Sequence, residues 1–311
     1  MNDIHHSFKN IMSAIDYRGL AALDAVVGSG SFERAAVQLS ISQPAVSHRL
    51  RALEEAVGAL LVVRSQPPQA TERGLRLIAH YRQVQLLESA LETAPAAARA
   101  LPRFAIAVNA DSAATWLPEA LAPLLTPTSC LIDVRIADQD HTLRQLREGR
   151  VVACVSSSAE AVAGTVMTPL GVMRYHCVAA PAFAARWFAD GLTAEAAARA
   201  PALVFDQHDA LHRNYLRQQL GWDGAFPQHA FGTSEGVVRM LEAGHAYGML
   251  PVQQAGAALA AGTLLDLTPG AHVDVALAWR CWNVQTALTR ALSDSVVATA
   301  ARWLLPPRGG A

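Results

Sequence analysis

The sequence predicts an α/β chain in three parts, on three observations. Residues 16–74 alternate short helical patterns with tight turns. Residues 72–94 read as one amphipathic helix. From Phe104 onward, short β-branched runs alternate with alanine-rich helical patterns, which argues for an α/β domain with mostly parallel sheets. At 311 residues, 52% hydrophobic and 16% charged, the chain is globular and long enough for two or three cores. A formal net charge of -1 gives no sign of a nucleic-acid partner, so any DNA-reading face must be local.

Residues 1–15 carry no periodic pattern and read as a flexible extension, or as sequence ahead of a start at Met12. They are polar and lack the apolar segment of a signal peptide. Within 16–74, Leu20, Leu23, Val26 and Val27 recur at helical spacing until Gly28-Ser29-Gly30 stops the first helix. Ser31 caps a second helix, with Arg34 where a capping box has glutamate. Phe32, Ala35, Ala36 and Leu39 give that helix its apolar face. After the turn Ser40-Ile41, Ser42 caps a third helix with Gln43 and Pro44 in the first turn, where proline is tolerated. Val46, Leu50, Leu53 and Val57 form its inner face, and Gly58 ends it.

Leu60–Arg64, the turn through Pro67 and Pro68, and Ala70-Thr71 then make a hairpin, a wing. The order predicts a winged helix-turn-helix over 16–74, with the start of the third helix in the major groove. Ser31, Arg34, Ser42, Gln43, Pro44, Ser47, His48 and Arg51 would face DNA. Arg64, Pro67, Pro68 and Arg73 would carry the wing to the phosphate backbone. Next, Leu77, Val84 and Leu91 repeat every seven residues, with His80 and Leu87 between them. This short, imperfect coiled-coil seam marks a linker dimerisation helix over 75–95; the other reading is a helix packed on its own domain. Thr93-Ala94-Pro95-Ala96 and Pro102 break it.

The runs Ser31-Phe32-Glu33-Arg34-Ala35-Ala36, Ser42-Gln43-Pro44-Ala45-Val46-Ser47 and Leu53-Glu54 resemble the signature of LysR-type transcription regulators. Further runs are similar to the ArgP/LysG (IciA-like) branch of that family: Ile15-Asp16-Tyr17, Val63-Arg64-Ser65-Gln66-Pro67-Pro68, Arg82-Gln83-Val84-Gln85-Leu86-Leu87-Glu88, Val108-Asn109-Ala110-Asp111-Ser112, Asp138-Gln139-Asp140-His141-Thr142, Val155-Ser156-Ser157-Ser158 and Gly248-Met249-Leu250-Pro251. The likeness runs from about Ile15 to Trp303. It implies a two-lobed, periplasmic-binding-protein-like α/β effector domain over 96–311 and a regulator rather than an enzyme. It also implies a homodimer or homotetramer on double-stranded DNA with a two-fold operator, RNA polymerase as a partner, and a cytoplasmic, nucleoid-associated place of action. The branch further implies L-lysine or L-arginine as effector and an amino-acid exporter gene as target.

In a two-lobed α/β domain, ligands sit at strand C-terminal ends, in the cleft between lobes. Asn109, Asp111, Ser112 and Thr115 follow the expected strand Phe104–Val108. Asp138, Asp140 and His141 follow Ile132–Ile136, and Ser156 and Ser157 follow Val151–Val155. Asp206 follows Leu203–Phe205, and Thr233, Ser234 and Glu235 open a helix. Further strands are expected at His176–Ala180, Tyr247–Leu250 and Val275–Trp279. A helix starting near Ser112 would offer N–H groups to an α-carboxylate. A basic amino acid needs a carboxylate for each cationic group, and the sequence does not choose among Asp111, Asp138, Asp140, Asp206 and Glu235.

Other chemistry finds no motif. Cys130, Cys154, Cys177 and Cys281 lack CxxC or zinc-finger spacing and read as reduced, mostly buried thiols. His141, His208, His212 and His245 lack metal-ligand spacing, so neither a metal nor a cofactor is expected. Ser156-Ser157-Ser158 has no GxSxG around it, and no P-loop or GxGxxG follows a strand, so no catalytic residue is assigned. Ala243–Leu265, the longest stretch without acidic or basic residues, holds Gly244, Gly248, Pro251 and Gly256 and reads as strand, turn and helix rather than a membrane span. The alternatives kept are a replication-origin or architectural DNA-binding protein and a regulator of another metabolite.

Overall fold

The computed structural model describes residues 16–91, 101–126, 130–137, 139–207, 209–284 and 286–306. The extension expected over 1–15 and the break at Thr93-Ala94-Pro95-Ala96 lie outside them. The chain divides into two compact units. One takes in the chain to Pro102 together with Arg144–Val152 and Trp282–Ala287; the other holds the remainder.

The first unit holds α1 (Tyr17–Ser29), α2 (Phe32–Gln38), α3 (Gln43–Val57), β1 (Val62–Val63), β2 (Gln69–Ala70) and α4 (Glu72–Leu91). Asp16 caps α1, and Gly30, in the left-handed region at φ 64°, ends it. The Arg34 N–H donates to Ser31 Oγ at the start of α2, and the Ala45 N–H to Ser42 Oγ at the start of α3. Substituting Ser42 by alanine orphans that N–H and is expected to lower stability by about 1 kcal/mol, measurable by denaturant melting. Leu20, Leu23, Val26, Ala35, Ala36, Val46, Leu50, Leu53 and Val57 form one core with Leu61, Val62 and Ile78. The wing is narrower than the sequence suggested, with Val62 opposite Ala70 and Val63 opposite Gln69. Glu54 anchors it: its Oε1 accepts the N–H groups of Leu61 (2.8 Å) and Val62 (3.3 Å).

Helix α4 starts at Glu72, ahead of the linker boundary at 75, because Thr71 Oγ1 accepts the Gly74 N–H and caps its first turn. Its Ile78 and Ala79 are buried, Leu77 and Val84 half-buried, and Leu87 exposed. Leu77 packs against the core of the first unit, so the exposed part of the seam is Leu87 toward the far end of α4, with Val84 half-buried. Arg82, on the same helix, donates to Asp24 of α1 at 2.8 Å and to the Gly149 carbonyl at 2.6 Å.

The second unit is built on β3 (Arg103–Val108), α5 (Ala110–Ala114), α6 (Leu117–Leu125), β4 (Leu131–Ile136), the first turn of α7 (Gln139–Arg147), whose end from Arg144 counts with the first unit, and β5 (Ala153–Ser156). The long strand β6 (Thr165–Ala179) follows, then α8 (Pro181–Trp187), α9 (Ala194–Ala197), β7 (Ala202–Val204), α10 (Leu211–Leu220), β8 (Gln228–Ala230) and α11 (Ser234–Glu242). Next come β9 (Tyr247–Pro251), α12 (Val252–Ala261), β10 (Leu265–Asp266), β11 (Val273–Trp282) and α13 (Ala287–Trp303).

The strand order is β4-β3-β5-β11-β6-β9-β7-β8, with β10 on β6. β3 is parallel to β4 and β5 in one lobe, and β7 to β8 and β9 in the other. The crossover strands break the mostly parallel expectation. β11 runs antiparallel to β5, and β6 antiparallel to β9 and β10, because each crosses from one lobe to the other. β5 and β9 are buried along their whole length, which explains sequences that are apolar but for the buried Ser156 at the end of β5. Trp116 and Trp279 are core residues. All four cysteines are free, and burial pushes the Cys154 thiol up to about 12.

Candidate DNA-reading face and effector cleft

Capping fixes the DNA-reading face. Ser42 starts α3 with its first turn outward, leaving Ser42, Gln43, Pro44, His48 and Arg51 exposed and Ser47 half-buried. The wing turn folds beside the start of α2, where the Arg64 guanidinium lies 5.9 Å from the centre of the Phe32 ring. Ser31, Gln43, Ser47, Arg64, Pro67 and Pro68 line one shallow depression. Arg34 and Arg73 are exposed outside it. The cap Ser31, the first turns of α3 and a wing arginine thus share one surface, suited to phosphates and base edges.

In the second unit, a cavity of about 420 Å³ opens between the lobes. Asn109, Ala110 and Asp111 come from one lobe and Phe205, Asp206, Asp209, His212 and Ser234 from the other, with Tyr175 and Val275 on the crossover strands. Leu203, Val237, Met249 and Leu250 add apolar wall. Asp111 sits where β3 ends and α5 begins, so the strand delivers its carboxylate to the cleft. Its Oδ2 accepts the Tyr175 hydroxyl at 2.8 Å and its Oδ1 the Ser234 hydroxyl at 2.6 Å, which joins the two lobes. Burial raises the Asp111 carboxyl above its ordinary range; the two hydroxyls pull it down, and Asp209 and Glu235 push it up again. Burial likewise holds the Tyr175 phenol well above its usual value, so it stays a donor.

The loop after β7 is braced by its own acids. Asp209 accepts the N–H groups of Phe205 (3.1 Å) and Leu211 (2.9 Å), and Asp206 Oδ1 accepts the Asp209 N–H at 3.0 Å. Among the described residues, the wall thus carries three carboxylates and no lysine or arginine. Such a surface prefers a cation.

Of the residues anticipated from sequence, Asn109, Asp111, Asp206 and Ser234 line the cavity. Others are placed elsewhere. Thr115 Oγ1 donates to the Asp111 carbonyl, Ser112 is fully buried behind the wall, and Thr233 caps α11 through the Gly236 N–H. Ser156 accepts the Ser158 N–H, while Ser157 and Glu235 are not part of the wall. His141 is exposed on α7, Asp138 lies outside the described residues, and Asp140 belongs to α7. Sequence reasoning missed Tyr175, Asp209 and His212. His212 had a usable signal: it shares a helical face with Tyr215 and Leu216, all three buried.

Comparison with known proteins adds a second line of observation. Residues 17–75 match the family of the bacterial regulatory helix-turn-helix protein, lysR family, and residues 97–301 that of the LysR substrate binding domain. The chain is similar to the HTH-type transcriptional regulator ArgP of Aeromonas salmonicida, 43% identical over 298 residues, covering 95% of this chain and 100% of the relative. In structure it is similar to ArgP from Mycobacterium tuberculosis (TM-score 0.86, 39% identity, 94% of this chain and 100% of that one). Full-length LysG from Corynebacterium glutamicum with bound effector Arg is also similar (TM-score 0.78, 33% identity, 94% and 100%).

Proposed function

The chain belongs to the LysR family of DNA-binding transcription regulators, and on that premise we propose that its second unit senses a basic amino acid, L-arginine or L-lysine. One observation carries the reading: Asp111, Asp206 and Asp209 converge on the cleft without a lysine or arginine among the described residues of its wall. A ligand with two cationic groups suits that wall, and a purely anionic one does not. The arginine named for the LysG structure is of the same class.

The regulator works in the cytoplasm on the nucleoid, as a homodimer or homotetramer on a two-fold operator, with RNA polymerase as its partner there. Exposed Leu87 on α4, with half-buried Val84 one turn before it, supports pairing of two chains. The target is an amino-acid exporter gene. Ser31, Arg34, Ser42, Gln43, Pro44, Ser47, His48 and Arg51 read DNA, with Arg64, Pro67, Pro68 and Arg73 at the backbone.

Calorimetric titration of the full chain with L-arginine, L-lysine, L-histidine and neutral amino acids tests the reading. Saturable heat with arginine or lysine, and none with neutral amino acids, is the expected result. Silence with every one of them refutes the proposed ligand. At the DNA face, replacing Arg64 by alanine is expected to weaken operator binding across sequences and reduce the slope of log K against log salt by about 1. An unchanged slope in a salt series of binding curves would remove Arg64 from the phosphate contacts.

A further inference from the structure

The hydrogen bonds around Asp111 are one hydrogen short when its carboxyl is ionised. Asp111 is half-buried and opens on the cavity. Tyr175 gives its single hydroxyl hydrogen to Asp111 Oδ2. Ser234 also has one, yet its Oγ lies 2.6 Å from Asp111 Oδ1 and 3.0 Å from Gln254 Oε1, both acceptors. With Asp111 ionised, Ser234 serves one of them and turns only lone pairs to the other. A proton on Asp111 closes the chain. The carboxyl then donates to Ser234 Oγ, Ser234 donates to Gln254 Oε1, and each acceptor receives one hydrogen.

The surroundings favour that proton. The titratable groups about Asp111 are Tyr175 on β6, Glu235 on α11, Asp206 and Asp209 after β7, and His212 on α10. Tyr175 stays protonated, and burial pushes His212 down to about 3, so neither supplies a positive charge near neutral pH. The others are carboxylates, and Asp209 and Glu235 push the Asp111 carboxyl up as its burial does. Among the described residues of the wall there is no lysine or arginine to hold an ionised Asp111 in place.

We propose that the ligand-free cleft holds a proton on Asp111, between its Oδ1 and Ser234 Oγ, and that the cationic amino acid expels it on binding, so that affinity for the ligand rises with pH. The inference rests on the basic-amino-acid reading and deepens it. The exchange is balanced: one positive charge enters the cleft and one proton leaves to the solvent. Ser234 then turns its hydrogen from Gln254 back to Oδ1, and the carboxylate keeps both hydroxyl links while its remaining lone pairs face the ligand. Below the raised carboxyl value the ligand has to displace the proton; above it the carboxylate is already bare, and affinity no longer depends on pH.

The test is calorimetric titration of the full chain with L-arginine and L-lysine from about pH 4.5 to about pH 7, where their cationic groups stay protonated. Each pH is run in two buffers of different ionisation enthalpy, so that the heats count the protons released. In the parent, affinity should rise by up to about tenfold per pH unit at the acid end and then level off, with up to about one proton released where it rises. Asp111→Asn has no proton to give up and should bind weakly with a flat profile. Gln254→Met removes the second acceptor, so Ser234 can stay on the ionised carboxylate, and the bend in the profile should move at least about half a pH unit toward acid. A flat profile in the parent, a sloping one that Asp111→Asn shares, or an unmoved bend in Gln254→Met overturns the inference. Arginine or lysine binding with a flat profile removes the proton alone. Failure of both to bind at every pH removes the ligand reading with it.

Discussion

Replacing Asp111 by asparagine is expected to separate ligand affinity from stability. The amide can still accept one hydroxyl and donate to the other, so the links to Tyr175 and Ser234 survive in altered form. The negative charge is lost, and with it a charge-assisted bond to a cationic ligand. That bond is worth about 1.5–3 kcal/mol, or roughly ten- to a hundredfold in affinity for arginine or lysine. Stability moves the other way. Burial raises the folded carboxyl, so the free protein loses stability as pH climbs from the ordinary carboxyl range of about 3.9 through the raised folded value. A neutral amide removes that loss. Asp111→Asn should therefore melt at or above the parent at pH 7, and the gap should close as pH falls toward about 4. Calorimetry beside thermal melts at several pH values checks both halves. A variant that binds arginine and lysine like the parent would take Asp111 out of the ligand's reach.

Replacing Gly74 by alanine is expected to cost the first unit about 3 kcal/mol. In an open helix the same change gains up to about 1 kcal/mol from helix propensity. Gly74 is not in the open: a Cβ there would stand 2.2 Å from the Leu61 carbonyl oxygen. That oxygen already accepts the Thr71 N–H at 2.9 Å, so it cannot retreat without breaking the junction between wing and α4. Gly256 is the control. It lies inside α12, and a Cβ added there would meet nothing within 4 Å, so Gly256→Ala should be neutral to stabilising. Urea melts of the two variants should move in opposite directions; a stable Gly74→Ala would mean that α4 and the wing separate at little cost.

The local parts of this fold were legible. Ser31, Ser42, Gly30 and Gly58 punctuate the first three helices as their chemistry requires, and the inner faces read from periodicity form the core. Strand boundaries were less legible where tertiary contacts overrule local signals. Only His176–Ala180 was expected as a strand, yet β6 runs from Thr165, through Pro169 and Gly171, residue types that weaken a strand pattern. Gly171 is there for another reason: at φ 137° it leaves room for the Leu305 carbonyl, and Val172 bridges to Leu305. β8 (Gln228–Ala230) is exposed throughout and polar at two positions, so no alternation betrayed it. In the cleft, Asp111 could be anticipated because it follows a strand. Tyr175 and Asp209 could not, because the topology alone brings them to it.

The crossover strands have a consequence for what the cleft can report. β6 and β11 are hydrogen-bonded neighbours, and Arg174 on one grips Asp274 on the other at 2.8 and 2.9 Å. Sliding one strand past the other by a single residue would turn every side chain to the wrong face, so shear is blocked. The two lobes are therefore joined by a pinned pair of strands, and a difference in their placement has to be taken up as bend or twist of that pair and not as a slide.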